Sequence, residues 1–119
     1  MSNSRAFIVQ EPMKRDPESG ELVPMMNFNR VLDYGKPVVC LPRGNIAFSP
    51  APTMDKLREK LKDFNDADYL VCAGDPSCLA MAAMVASERN RGKVALLKWD
   101  KRTSSYIEVR VDLFNRKES

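Results

Sequence analysis

The stretch Asp68-Tyr69-Leu70-Val71-Cys72-Ala73-Gly74-Asp75-Pro76-Ser77-Cys78 decides the fold. Tyr69 to Ala73 form a short apolar run that stops at Gly74, the pattern of a strand covered on both faces. Asp75 is placed to cap a helix, because its carboxylate accepts the orphan N–H groups of a first turn. Pro76 follows at the first helical position, where its fixed φ suits the helix and its missing N–H leaves nothing unpaired. The helix is expected to run to Asn90, rich in alanine (Ala80, Ala82, Ala83, Ala86) and methionine (Met81, Met84) and charged only at its end. Apolar nearly all round, it is expected to be largely covered, its alanines letting the backbone approach a sheet.

Working outward, Arg5 to Gln10 carries Ala6, Phe7, Ile8 and Val9, a strand with apolar residues pointing both ways. Glu11 to Pro24 is polar and divided by Pro12, Pro17, Gly20 and Pro24, which predicts an ordered loop or a loose hairpin tip around Asp16-Pro17-Glu18-Ser19-Gly20. Asn27 to Gly35 reads as a short helix with Asn27 as cap and Gly35 as its left-handed terminator. Pro37 to Leu41 is the next strand. Thr53 to Phe64 is the clearest amphipathic helix: Met54, Leu57, Leu61 and Phe64 recur at helical spacing, with charged residues between them. On its outer face Asp55–Glu59 and Lys56–Lys60 are like-charge pairs at i,i+4, which the Asp55–Arg58 and Glu59–Lys62 spacings partly offset.

After the central helix and Gly92, Lys93 to Asp100 forms a strand, with Ala95, Leu97 and Trp99 on one face and Val94, Leu96 and Lys98 on the other. Lys101 to Ser105 makes a polar turn. Tyr106 to Leu113 then alternates cleanly, which predicts Ile107, Val109, Val111 and Leu113 inward and Tyr106, Glu108, Arg110 and Asp112 outward. Phe114 to Ser119 reads as a frayed tail. The whole is a small single-domain α/β protein: a mixed sheet with two βαβ crossovers and a C-terminal antiparallel hairpin. These rules set neither the place of the first strand nor the oligomeric state.

A chain of 119 residues with 44% apolar and 29% charged residues has the size and composition of one soluble domain. No apolar run reaches the ~18 residues that span a bilayer, so no membrane role is expected. The start, Met1-Ser2-Asn3-Ser4-Arg5, lacks a signal-peptide core, which points to an intracellular protein. Cys40, Cys72 and Cys78 are odd in number and lack CxxC spacing. With no histidine in the chain, zinc would need thiolates and carboxylates alone, whose spacings offer no such site, and the commonest general base near neutral pH is missing. No metal, cofactor or catalytic residue is expected.

Three candidate chemistries remain. Gly74 between strand and helix invites phosphate binding. The turn lacks both GxxxxGK[ST] and GxGxxG, however, and Asp75 sets a carboxylate where a phosphate would sit. Cys78 lies in the first helical turn, where a dipole favours a thiolate, but Asp75 opposes that charge and buried cysteine is the better reading. The basic hairpin is the third. From Arg89 to Ser119 nine basic residues stand against four acidic ones, +5 of a net +3, leaving −2 for the first 88. Lys98, Lys101, Arg102, Tyr106 and Arg110 combine aromatic and basic groups suited to nucleic acid, although Trp99 shares a face with Leu97 and Ala95 and is expected to pack. With Lys14 and Arg15 of the 11–24 loop, these are the candidate partner-binding residues.

Five segments resemble a family of small proteins encoded by tailed bacteriophages and prophages. They are Phe7-Ile8-Val9-Gln10-Glu11-Pro12-Met13, Val39-Cys40-Leu41-Pro42, Ser49-Pro50-Ala51-Pro52, Gly74-Asp75-Pro76 and Leu97-Lys98-Trp99-Asp100. The likeness spans about Ala6 to Leu113 and brings no catalytic residues with it. It implies a viral protein in the host cytoplasm that acts by binding a host or phage macromolecule. The leading expectation is a non-enzymatic accessory protein with a protein partner. Nucleic-acid binding through the basic hairpin is the alternative, and nucleotide or phosphate binding the third.

Overall fold

The computed structural model describes residues 3–11, 13–24, 29–42 and 50–115. Its centre is a five-stranded mixed sheet. The strands are β1 (Arg5–Gln10), β4 (Lys36–Leu41), β5 (Tyr69–Val71), β6 (Lys93–Asp100) and β7 (Ser105–Asp112), in the order β4-β1-β5-β6-β7. β1 runs parallel to β4 and β5, β5 parallel to β6, and β6 antiparallel to β7. β2 (Met13–Arg15) and β3 (Leu22–Pro24) form a separate antiparallel hairpin, the second of the two forms expected for that stretch. The first strand lies second in the sheet, between β4 and β5, and Ala6, Phe7, Ile8 and Val9 are all buried, as apolar residues on both faces require.

Both long helices lie on one face. Helix α1 (Pro50–Lys60) supplies Leu57, with Leu61 and Phe64 following it, and α2 (Pro76–Arg89) supplies Cys78, Ala82, Val85 and Ala86. They pack against Phe7, Val9, Leu70 and Val94 of the sheet. α1 begins earlier than expected, because Pro50 and Pro52 fit a first turn whose N–H groups have no partner anyway. The Asp55–Arg58 and Glu59–Lys62 pairs form, at 3.7 and 3.4 Å. α2 is less covered than its composition predicts. It belongs to a single helix layer, so its outer side meets no second layer, and Met84 is 65% exposed.

The opposite face carries Ala6, Ile8, Val71, Ala73 and Leu97 under a set of rings. Tyr34 packs edge-on against Tyr69 and Tyr106, and Trp99 against Tyr106 with centroids 5.1 Å apart. Val31 and Tyr34 reach this face from a 3-10 helix at Asn29–Asp33 and the turn after it, where the sequence predicts a longer helix. The Asn27 cap lies outside the described residues. Gly35 is not left-handed as expected. It is needed because a Cβ there would stand 2.7 Å from the Ser4 backbone.

The alternation of β7 needs correction. Tyr106, expected to point outward, is buried among the rings, whereas Ile107, Val109 and Val111 on the other side are 43, 39 and 41% exposed. The period of two holds, but β7 is the end strand and lies beyond the cover of α2, so its helix-side face meets little protein. Leu113 is 62% exposed for the same reason.

Asp68, at the entry to β5, is 1% exposed and fully employed. Its Oδ1 accepts from Arg5 N at 3.1 Å and Arg5 Nε at 3.2 Å, and its Oδ2 from Arg5 Nη2 at 2.8 Å and Asn65 N at 3.0 Å. The hydrogen bond to this carboxylate raises the Arg5 pKa against the opposing effect of burial. Asp68→Ala should therefore strand three donors of Arg5 and one of Asn65. The expected loss is roughly 3 kcal/mol, the low end for breaking a buried pair because Arg5 keeps part of its hydration. Urea unfolding should show a lower midpoint at unchanged slope, and a midpoint equal to the parent's would remove this role.

Candidate functional site

In open α/β sheets ligands settle where neighbouring strands send their chains to opposite sides. Here that point lies between β1, which leads toward β4, and β5, which leads toward β6. Gln10 fills it. The residue is 4% exposed, its Oε1 accepts from Asp75 N at 3.0 Å, and its Nε2 donates to Pro42 O at 2.9 Å. One side chain thus ties together the ends of β1 and β4 and the start of α2. Gly74 makes the closeness possible: it has φ +110°, and a Cβ on it would lie 2.5 Å from Gln10 Cβ.

The start of α2 is satisfied from within. Asp75 Oδ1 accepts from Ser77 N at 2.8 Å and Ser77 Oγ at 2.7 Å, bonds that hold its carboxyl below the ordinary value. Asp75 caps the helix as expected, with Pro76 in the first turn. Cys78 beneath it is buried, and burial and then the Asp75 charge push its thiol up. That combination suits a packed cysteine, not a nucleophile. Cys72 is raised by burial, and Cys40 is raised by burial to about 12. Among the described residues no cluster of cysteine and carboxylate side chains is arranged to hold a metal ion.

Among the recesses elsewhere, two adjoin the sheet's ends. A cleft of about 340 Å³ opens between the 65–68 turn and the hairpin, lined by Asp66, Asn90, Lys93, Arg110 and Asp112 among others. A groove of about 570 Å³ runs between Val39–Pro42 and the charged side of α1. The groove places Cys40 near Asp55, Lys56, Glu59 and Lys60, but the thiol is buried and that burial pushes it up to about 12, which suits packing and not attack.

The structure separates the candidate partner-binding residues. Lys14 lies in β2 opposite Val23, and Arg15 Nη1 donates to Gly20 O at 2.6 Å across the same hairpin. Lys98 is exposed on the helix side of β6, opposite Ile107. Arg110, opposite Ala95, belongs to the other face, where it pairs with Glu108 and its guanidinium stands 5.9 Å from the Tyr69 ring centre. Lys101 and Arg102 are exposed at the tip, with Arg102 Nε 3.6 Å from Asp100 Oδ1. Tyr106 is held inside, its hydroxyl buried without a hydrogen-bond partner and raised in pKa by that burial. A flat basic–aromatic platform is therefore not assembled. What sequence reasoning missed is the apolar side of β7: it took Ile107, Val109 and Val111 for core, and their position on the last strand was the available signal.

Two measurements test this description. Gly74→Ala should destabilise by about 2 kcal/mol or more, since backbone strain adds to collision with Gln10. Gly20→Ala also has positive φ (+76°) but nothing within 4 Å, so it should cost clearly less, and equal losses would exclude the Gln10 contact. Second, Cys40 rises from an ordinary 9.0 to about 12 on folding. Its contribution is thus fully present below the unfolded value and lost as pH climbs toward the folded one. Urea midpoints should fall more steeply with pH above about 9 in the parent than in Cys40→Ala. Parallel curves would show that the thiol stays protonation-neutral in folding.

Comparison with known proteins gives a family match. No curated relative and no solved structure is similar to the chain. Among protein families, the one described as Phage Pam3 gp32-like protein matches residues 4–113, from just before β1 to just past β7. The matched span takes in the Arg5–Asp68 pair, the Gln10–Gly74 joint and the terminal hairpin. The chain belongs to the phage Pam3 gp32-like protein family.

Proposed function

We propose that this is a non-enzymatic phage accessory protein that binds another protein through the helix-side face of its C-terminal hairpin. The observation that carries the reading is the uncovered apolar surface of β7. Ile107, Val109 and Val111 are each about two-fifths exposed, and Leu113 and Phe114 beside them are 62 and 67% exposed. Full burial of such a side chain contributes about 1.5–3 kcal/mol, so the three strand residues alone leave roughly 2–4 kcal/mol for a partner to recover. A contiguous patch of this kind marks a contact surface more often than a free one.

The rim suggests the partner's chemistry. Lys98 shares the face, and Lys101 and Arg102 stand at the tip. A protein segment with apolar residues flanked by carboxylates fits that arrangement. The sealed switch point supports the same reading, because the place where this architecture usually takes a small ligand is spent on structure. Nucleic-acid binding draws less support, since Lys98 and Arg110 face opposite ways and Arg102 and Arg110 each have an acidic neighbour.

The test is affinity capture from phage-infected cells treated with nuclease. It compares the parent with a variant carrying Lys98→Glu, Lys101→Glu and Arg102→Glu. A defined protein recovered by the parent and lost with the reversed rim, at equal thermal stability, is the expected result. Recovery of nothing, or capture indifferent to the reversal, overturns the proposal. A salt-dependent shift of labelled DNA or RNA by the parent would favour the nucleic-acid reading instead.

A further inference from the structure

The two ends of the sheet differ in what they offer. On β4, Lys36 N donates to Ser4 O at 3.0 Å, so alternation turns the backbone of Pro37 outward. A proline at such a position has no N–H to present, a device that blunts sheet edges. β7 has no such guard. Leu113 N donates to Gly92 O at 2.8 Å and Cys72 N to Leu97 O at 3.0 Å. These bonds set the alternation of the hairpin. Ile107, Val109 and Val111 bond inward to β6, and the backbone groups of Tyr106, Glu108, Arg110 and Asp112 point away from it. The ends of that outward row are occupied, Tyr106 O by the Tyr34 hydroxyl at 3.4 Å and Asp112 O by Asn115 N at 3.3 Å. Among the described residues nothing bonds to the outward backbone groups of Glu108 and Arg110, one on each side of Val109.

We infer that this edge takes a second copy of the chain, paired antiparallel about a two-fold axis at Val109, so that two sheets become one. In that register Glu108 lies opposite Arg110 of the second copy, and Arg110 opposite its Glu108. Each of these pairs exchanges two backbone hydrogen bonds. The open groups of the edge are then satisfied, and both carboxylates meet guanidinium groups. On the helix side Val109 meets Val109, and Ile107 meets Val111 of the second copy. These are the closer, non-hydrogen-bonded pairs, where β-branched side chains pack best. The neighbouring registers fail on charge. An axis at Glu108 sets Glu108 against itself. An axis at Arg110 sets Arg110 against itself and Glu108 against Asp112. Like charges directly opposite are destabilising, and a shift by one residue turns the apolar side chains to the wrong face. The edge is thus complementary to itself in one register. The inference concerns the backbone edge and needs no partner from the cell, so it stands or falls apart from the proposed function.

Sedimentation equilibrium on the purified full chain tests it. The parent should show a monomer–dimer equilibrium. Glu108→Arg alone and Arg110→Glu alone should each weaken the dimer about tenfold, since two attractive pairs become two repulsive ones. Both substitutions in one chain should restore it, and an equal mixture of the two single variants should form a mixed dimer. All these positions are exposed, so thermal stability should stay close to the parent's and report an intact fold. A chain that remains monomeric at hundreds of micromolar overturns the inference, even if a strand of another protein is found at the same edge. So does a dimer that the single reversals do not weaken or the double reversal does not restore.

Discussion

The Asp68 carboxylate holds the sheet in register with the helix layer. It sits where the chain leaves α1 and enters β5, and it accepts from both the backbone and the guanidinium of Arg5 at the opening of β1. Arg5 Nη2 also donates to Asp63 O at 2.9 Å, so one arginine joins the first strand to the turn that delivers the third parallel strand. An ion pair in the open contributes little, because water competes for both partners. Here the acid is shut away from solvent and each of its oxygens accepts two hydrogen bonds, the condition under which a buried charge is tolerated and its removal is costly. β5 is only three residues long. A strand so short needs its entry point specified, and Asp68 does this at one end as Gln10 and Gly74 do at the other.

Those two anchors bracket the strand at whose end the chain reverses its direction of winding. The path of the chain creates a switch point, and the sequence then closes it with a side chain whose amide oxygen and nitrogen are both committed. Helix α2 has its N-terminus capped by its own aspartate and has no free donors of the kind anions seek. The exposed aliphatic surface lies elsewhere, at the end of the sheet where β6 and β7 extend past the helices. The hairpin has different chemistry on its two faces. Rings, with Glu108 and Arg110, occupy one; aliphatic side chains beside lysine occupy the other.

Much of this was legible in the chain itself. The limits of β1 and β6 follow from apolar runs bounded by charge or turn residues, and the α2 cap follows from Asp75-Pro76. The core side of α1 was readable because Leu57, Leu61 and Phe64 fall at helical spacing. The departures share a cause. Alternation along β7 tells which side chains lie together but not whether anything lies above them; that depends on how far α2 extends. The same holds for Met84 on α2. Gly35 was misassigned because a close pass of Ser4 and a left-handed turn both exclude a side chain, and residue type alone does not distinguish them. Gln10 gave no local signal. Its role exists only once β1, β4 and β5 have been brought side by side.

The contact between Gln10 and Gly74 has a consequence for how such a chain can drift. Residues 64 apart in the sequence share one volume, so neither is free to change by itself. A larger residue at 74 forces the glutamine out, and a smaller one at 10 leaves the Asp75 amide bare at the mouth of a new hollow. Sequences that keep this seam must keep both residues. Those that abandon it lose both residues together, and with them the side chain that closes the crevice between β1 and β5.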